Sequence, residues 1–189
     1  ILTENTFGRN IFYYVDSLDM LQQLWNQNEI LNNNNKSHFD LLQLDNFNST
    51  VLHTSKNLDI FNFYLNQLQN KYPHIVNTFF MGKNNYNYSA CSHFTQIFTE
   101  NLQLSNDIFE TQTKLDDYMK PFWESLLLIK KFNPEYSNQF KDILIKDFFQ
   151  TKFKLNDLKK CTDMLDKSWF KYSLDEHLVK KEPKAKVKI

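Results

Sequence analysis

The chain has very little of several things. It holds 2 Gly, 2 Ala and a single arginine, Arg9, against 21 Lys. Gly8 and Gly82 stand alone, so neither a dinucleotide-binding Gly-rich turn nor a P-loop can be built. With one arginine the planar, bidentate fork that suits phosphate and carboxylate recognition is almost absent, and Lys does not replace it. The 22 basic and 22 acidic residues cancel, which argues against a surface dedicated to nucleic acid. No run of 18 apolar residues occurs, so no transmembrane helix is expected.

Two cysteines, Cys91 and Cys161, make neither a disulfide framework nor a four-thiolate zinc site. They read as two buried or unremarkable thiols, and a bridge between them would need an oxidising compartment. "NST" at 48–50 and "NYS" at 87–89 match the glycosylation acceptor pattern, but such matches arise readily by chance in a chain this rich in Asn.

What the chain has is asparagine, 23 in all, and aromatics, including 18 Phe. Asn, Lys, Phe, Tyr and Ile have AT-rich codons and Gly, Ala, Arg and Pro GC-rich ones, so the skew reads as nucleotide bias. The run Asn32–Asn35 then reads as loop filler, part of an insertion around 32–38, because a polar tract buries too little to offset its ordering entropy.

The period is helical. Leu18, Leu21, Leu24, Trp25 and Leu31 mark a helix near 17–31, after a stretch at 10–17 that suits a short strand or a first turn. Leu58, Phe61, Leu65, Leu68 and Tyr72 form the cleanest amphipathic stripe, ended by Pro73. Residues 72–83 suit a short helix with Pro73 at its first position and Gly82 past its end. Ser89 caps a helix carrying Phe94, Ile97, Phe98 and Leu102.

The longest pattern starts at Ser105 and carries Ile108, Leu115, Met119, Phe122, Leu126 and Ile129, with a kink or break expected at Met119–Lys120 ahead of Pro121. Asn133-Pro134-Glu135 is the strongest helix start, leading to Tyr136, Phe140, Leu144 and Phe148. Leu155, Leu158, Thr162, Leu165 and Trp169 mark a further helix, and "SLDE" at 173–176 reads as a capping box for a last short turn.

These elements predict a mainly α fold: an irregular bundle or array of seven to eight helices, with at most one or two short strands near the N-terminus. One helical domain is expected over 1–179, followed by a basic C-terminal tail at 180–189. No fixed-length repeat is detected, although drifted helix-turn-helix repeats fit consecutive antiparallel helices.

Candidate chemistry is sparse. Cys91 and His93 are two apart, so on a helix they point about 200° from each other and cannot chelate one metal or act as a nucleophile–base pair. His74 lies across a loop from His93. Asp175, Glu176 and His177 are adjacent and lack the three-residue spacing of a di-iron motif. Glu124 sits in an apolar segment beside Trp123. Trp25, Trp123 and Trp169 fall on apolar faces and are assigned to the core.

The aromatics Phe12, Tyr13, Tyr14, Phe79, Phe80, Phe148 and Phe149 come as adjacent pairs or triplets, which one helix face cannot bury together; some should point outward toward a partner. The expected role is therefore a non-catalytic structural accessory subunit of a large assembly, with other protein subunits as partners and no catalytic, cofactor or metal residues. A mitochondrial membrane complex of respiratory or ATP synthase type is the first expectation, with a cytoplasmic location as its alternative. A helical-repeat module for RNA or the mitochondrial ribosome is the second reading, and an enzyme with Cys91, His93 and Glu124 in a dispersed site the third. The tail lysines Lys180, Lys181, Lys184, Lys186 and Lys188 suit peripheral contact with acidic protein, lipid or RNA.

Overall fold

The computed structural model describes residues 3–34, 39–102, 106–144 and 155–179, with side chains at all of these except 106, 155–157 and 175–179. The protein is all-α, as the periodicity predicts. Seven α-helices occur among the described residues, and no strand does; the one β-type pairing there is an isolated antiparallel bridge between Lys83 and Ser89. The chain divides into two compact units, Ile1–Gln103 and Leu104–Ile189, where the sequence suggested one domain over 1–179.

The first unit is built on a turn that occurs three times. Asn5, Asp45 and Asn84 open the three copies, 40 and 39 residues apart. In each copy the opening side chain accepts from the backbone N–H two and four residues on: Phe7 and Arg9 at Asn5, Phe47 and Ser49 at Asp45, Tyr86 and Tyr88 at Asn84. Its carbonyl accepts from the residue three on, and its N–H donates to the carbonyl four on. The residue three on is left-handed in every copy: Gly8 at φ 72°, Asn48 at 58° and Asn87 at 60°. Gly and Asn are the residues that tolerate this conformation.

The copies are stacked. Asn46 N–H donates to the Phe7 carbonyl and Asn85 N–H to the Phe47 carbonyl, both at 2.9 Å, so the same bond joins the first turn to the second and the second to the third. Such nearest-neighbour stacking is the organisation of a repeat array. A turn repeated at a spacing of about 40 residues, though not of fixed length, is therefore present in the backbone of this unit.

The segments downstream of the first two turns repeat as well. Asn10 and Thr50 cap 3-10 turns at Ile11–Tyr13 and Val51–His53, and Ser17 and Asn57 then cap α1 (Leu18–Asn33) and α2 (Leu58–Lys71). The stretch at 10–17 is this capped 3-10 turn, neither a strand nor the start of α1. After the third turn Ser89 caps α4 (Ala90–Asn101) directly. Between α2 and α4 lies α3 (Val76–Met81). It starts three residues beyond Pro73, which occupies the intervening turn because the α2 C-cap, Tyr72, has already turned back onto Leu68 O at 2.7 Å. Gly82 does close α3, but in an extended conformation (φ −61°, ψ 141°); a Cβ there would meet the Thr78 carbonyl at 2.8 Å, and that approach is what calls for glycine.

The core of this unit joins α1, α2, α3 and α4. Leu21, Phe61, Leu65, Phe80, Phe94 and Phe98 have no exposed surface. Asn28 on α1 fixes the returning chain by pairing its amide with both the N–H and the carbonyl of Phe39. Asn32 and Asn33 are the last residues of α1 and Asn34 its C-cap, with its amide on Ile30 O at 2.8 Å, so the first three of the run close a helix rather than fill a loop. Asn35 and the rest of the expected insertion lie outside the described residues.

Gly8→Ala tests the stacking. A Cβ at Gly8 would meet Asn46 Oδ1 at 2.6 Å from the neighbouring turn, on a backbone that Ala avoids. The expected cost is about 1–3 kcal/mol in urea unfolding; an unchanged midpoint would mean that the first two turns do not pack as described.

The second unit holds a 3-10 turn at Asn106–Phe109, α5 (Gln112–Lys130), α6 (Pro134–Ile143) and α7 (Leu155–Val179). Thr111 caps α5, which separates it from the 3-10 turn, and α5 then runs unbroken through Pro121. Of the kink or break expected at Met119–Lys120, the break does not occur. Proline removes one backbone bond, but Met119, Phe122, Trp123 and Leu126 are all buried on either side of it, and their packing keeps the segment helical. Asn133 and Pro134 start α6 as the sequence indicates. The "SLDE" box starts nothing: residues 173–176 lie inside α7, and Ser173 Oγ donates backward to Phe170 O at 2.9 Å.

Candidate functional site

The stacking of the three turns brings their third residues together. Phe7, Phe47 and Tyr86 form a row, with ring centroids 5.9 Å apart for the first pair and 5.4 Å for the second. Phe7 is 49% exposed and Tyr86 69%, while Phe47 between them is half-buried. The row is rimmed by the exposed amides Asn46, Asn48, Asn85 and Asn87, with Asn48 Nδ2 donating to Asn85 Oδ1 at 2.7 Å. The rings stand on turns each closed by four hydrogen bonds to its opening residue, so they are held in place without a helix beneath them.

Arg9 lies behind the row. Its guanidinium is 5.9 Å from the rings of both Tyr13 and Phe47, and its Nε donates to Asp45 Oδ2 at 2.7 Å. Asp45 has no exposed side-chain surface and accepts from the Phe47 and Ser49 N–H groups as well. Thus the only arginine is bound to the turn that carries the central ring. A groove of about 350 Å³ adjoins the second and third turns, lined by Leu44, Asn48, His53, Phe79, Gly82 and Lys83 among others.

His53 and His93 are both buried enough that desolvation pushes their pKa below the usual 6.5. For His53 the neighbouring His93 adds to this, while the Gly82 carbonyl and Asp45 oppose it. His93 Nε2 lies 2.8 Å from Ser55 O and its Nδ1 3.3 Å from Tyr88 Oη. In the second unit, burial would raise the pKa of Asp116, but hydrogen bonds from Lys171, Gln112 and Ser168 outweigh it and hold the carboxylate below its usual range.

The residues singled out in the sequence do not converge. Cys91 is half-buried on α4, and His93 takes its partners from Ser55 and Tyr88 rather than from Cys91. His74 is exposed in the turn before α3, and Glu124 is exposed on α5. No disulfide joins Cys91 and Cys161. Asp175, Glu176 and His177 lie within α7, with side chains outside those described. Among the described residues no cluster of three or more His, Cys, Asp or Glu could hold a metal ion, and no helix is long and apolar enough to cross a membrane.

Of the paired aromatics, Phe12, Tyr13 and Phe80 are buried; Tyr14 is 47% exposed and Phe79 half-exposed in the groove. Phe148, Phe149 and the tail lysines Lys180, Lys181, Lys184, Lys186 and Lys188 lie outside the described residues. Trp25 and Trp123 are core, whereas Trp169 is only partly covered, under Lys130 Nζ at 5.6 Å. The sequence reading missed Phe7, Phe47, Tyr86, Asp45 and His53. The signal for them is Asx-x-aromatic-(Gly/Asn), three times at a spacing of about 40. No protein-family model, curated protein or solved structure matches the chain.

Proposed function

We propose that the protein is a non-catalytic docking subunit that uses the Phe7–Phe47–Tyr86 row to bind another protein in a larger assembly. The observation that carries this reading is the exposure of rigidly held aromatic rings on three stacked turns. Aromatic anchors surrounded by uncharged, adaptable amides are the composition of protein-binding loop surfaces. Exposed apolar rings in a row also need a reason, since single exposed hydrophobics are common but contiguous ones mark interaction sites. The titratable groups fit the same reading: Asp45, His53, His93 and Asp116 each make hydrogen bonds that hold a turn or a helix pair.

The RNA reading calls for cations beside the rings, as in stacking platforms for single strands. Arg9 is committed to Asp45, and the rim is made of amides. This favours a protein partner of low charge.

The test is the native size of the protein in a lysate of its source cells. The wild-type chain is expected to migrate far above its own 22.8 kDa. Phe7→Ser with Tyr86→Ser is expected to migrate as the free chain while keeping its melting temperature, because surface changes cost within about 0.5 kcal/mol each. A wild-type protein that migrates at its own mass would overturn the reading.

A further inference from the structure

The first two turn-and-helix segments present the same face in opposite ways. Counted from their caps, Ser17 and Asn57, α1 and α2 run in register: Met20 matches Ile60 and Leu24 matches Tyr64. In the 3-10 turns before them Ile11 matches Val51. On the second segment this face is packed. Val51, Ile60 and Tyr64 are each 1% exposed, and Tyr64 Oη donates across to the Phe12 carbonyl at 2.7 Å. On the first segment it is open. Ile11 is 41% exposed, Met20 47%, and Leu24 is half-exposed. Residues four apart lie on one side of a helix, so each pair belongs to one face. The terminal unit of a stacked array ordinarily turns a polar face outward. The first segment instead turns outward the apolar residues of an internal one.

The backbone repeats the asymmetry. Thr6 occupies in the first turn the place of Asn46 and Asn85. Those two N–H groups donate to the turn before them, whereas Thr6 is exposed and its N–H has no acceptor among the described residues. Tyr86 occupies in the third turn the place of Phe7 and Phe47, whose carbonyls accept those bonds. Tyr86 is exposed, and its carbonyl has no donor among the described residues. The stack thus ends in a donor on one side and an acceptor on the other. These are the two halves of the bond it makes twice within itself.

We propose that the open face of the first segment is a self-stacking surface, which takes the third turn of a second copy of this chain head to tail. Thr6 N–H donates to the Tyr86 carbonyl of that copy. Leu24 covers its Cys91, which stands on α4 in the place of Phe12 and is half-exposed. Charge agrees with this pairing. Within the chain the residue before one turn meets the residue two before the next, as Glu4 accepts from Gln43 Nε2. The same offset places Lys83 of one copy beside Thr3 and Glu4 of the next, all of them exposed. A symmetric pairing of the open face would set donor edge against donor edge and Glu4 against Glu4. The joint is heterologous, so it extends into a series or a ring. Phe7 of one copy then follows Tyr86 of the other, which lengthens the aromatic row rather than covering it.

Sedimentation velocity of the purified full chain tests this. The wild type is expected to rise from 22.8 kDa past twice that mass as its concentration is raised. Ile11→Glu with Met20→Glu blocks the head, and Lys83→Glu with Tyr86→Glu blocks the tail. All four side chains are exposed, and Glu at position 20 completes a capping box with Ser17, so both variants should keep their melting temperature. Each variant alone is expected to stay at the mass of one chain, and an equal mixture of the two to form a dimer and nothing larger. Hydrogen exchange at Thr6 N–H should slow as the wild-type mass rises. A wild type that stays at its own mass even at about 1 mM, and so binds itself no more tightly than a millimolar Kd, overturns the proposal. So does a tail variant that associates alone, the mark of symmetric pairing, or association that leaves Thr6 exchange unchanged. Should a variant misfold, Thr6 exchange in the wild type decides alone. The head variant keeps Phe7, Phe47 and Tyr86, so its migration in a lysate reads docking on the row separately from stacking.

Discussion

Phe94→Ala lowers the unfolding free energy by about 3–5 kcal/mol, the range for removing a fully buried phenyl ring. Phe94 has no exposed surface and sits where α2, α3 and α4 meet. Its ring centroid is 5.5 Å from Phe61, 6.4 Å from Phe80 and 5.6 Å from Phe98. Three surrounding rings are too stiff to collapse into the space, so the cavity cost adds to the lost burial. Phe94→Leu keeps more of the volume and should cost clearly less. Urea denaturation checks both, and a Phe94→Ala shift under about 1 kcal/mol would mean that this cluster is not the core.

Trp123→Ala should cost a similar amount, about 3–5 kcal/mol, in the second unit. Trp123 has no exposed surface, and its Nε1 donates to Ser168 Oγ at 2.9 Å, tying α5 to α7. The same Ser168 also helps hold Asp116, so the substitution removes a ring and disturbs a polar network. Trp123→Phe isolates the second effect: most of the apolar area stays, the indole donor goes, and the expected loss is about 1–2 kcal/mol. If Trp123→Phe and Trp123→Ala were equally costly, packing of the ring would not be what holds α7 on α5.

Helices were legible in the sequence where an apolar face and a cap coincide. The stripe Leu58, Phe61, Leu65 and Leu68 is the buried face of α2, and Ser89 and Asn133 cap the helices that they were expected to cap. Local signals misled where burial outweighs them. Pro121 leaves α5 unbroken because the residues on both sides are packed, and Ser173 is passed over because α7 is already helical when it arrives.

The site was not legible, for a different reason. Each turn owes its shape to one Asx side chain and one left-handed residue, with no apolar period to announce it. In a chain with 23 Asn such patterns arise by chance, so Asn5, Asn48, Asn84 and Asn87 pass for filler. Only the backbone shows that Asn46 and Asn85 repeat one hydrogen bond and that three rings separated by about 40 residues stand in a row. Paired aromatics drew attention because adjacency is visible in sequence; the rings that gather on the surface are single and far apart.

The claim that the turn row is a docking surface is tested most directly by photo-crosslinking from position 86. A benzophenone-bearing analogue replaces Tyr86 in cells, and a second chain carries it in place of the exposed Glu124 on α5. Docking on the row predicts one discrete adduct from position 86, with the same protein mapped by mass spectrometry when the analogue replaces Phe7, and lost from position 86 when Phe7 is changed to Ser. No adduct from positions 86 and 7, or adducts with unrelated proteins at each, would contradict the account.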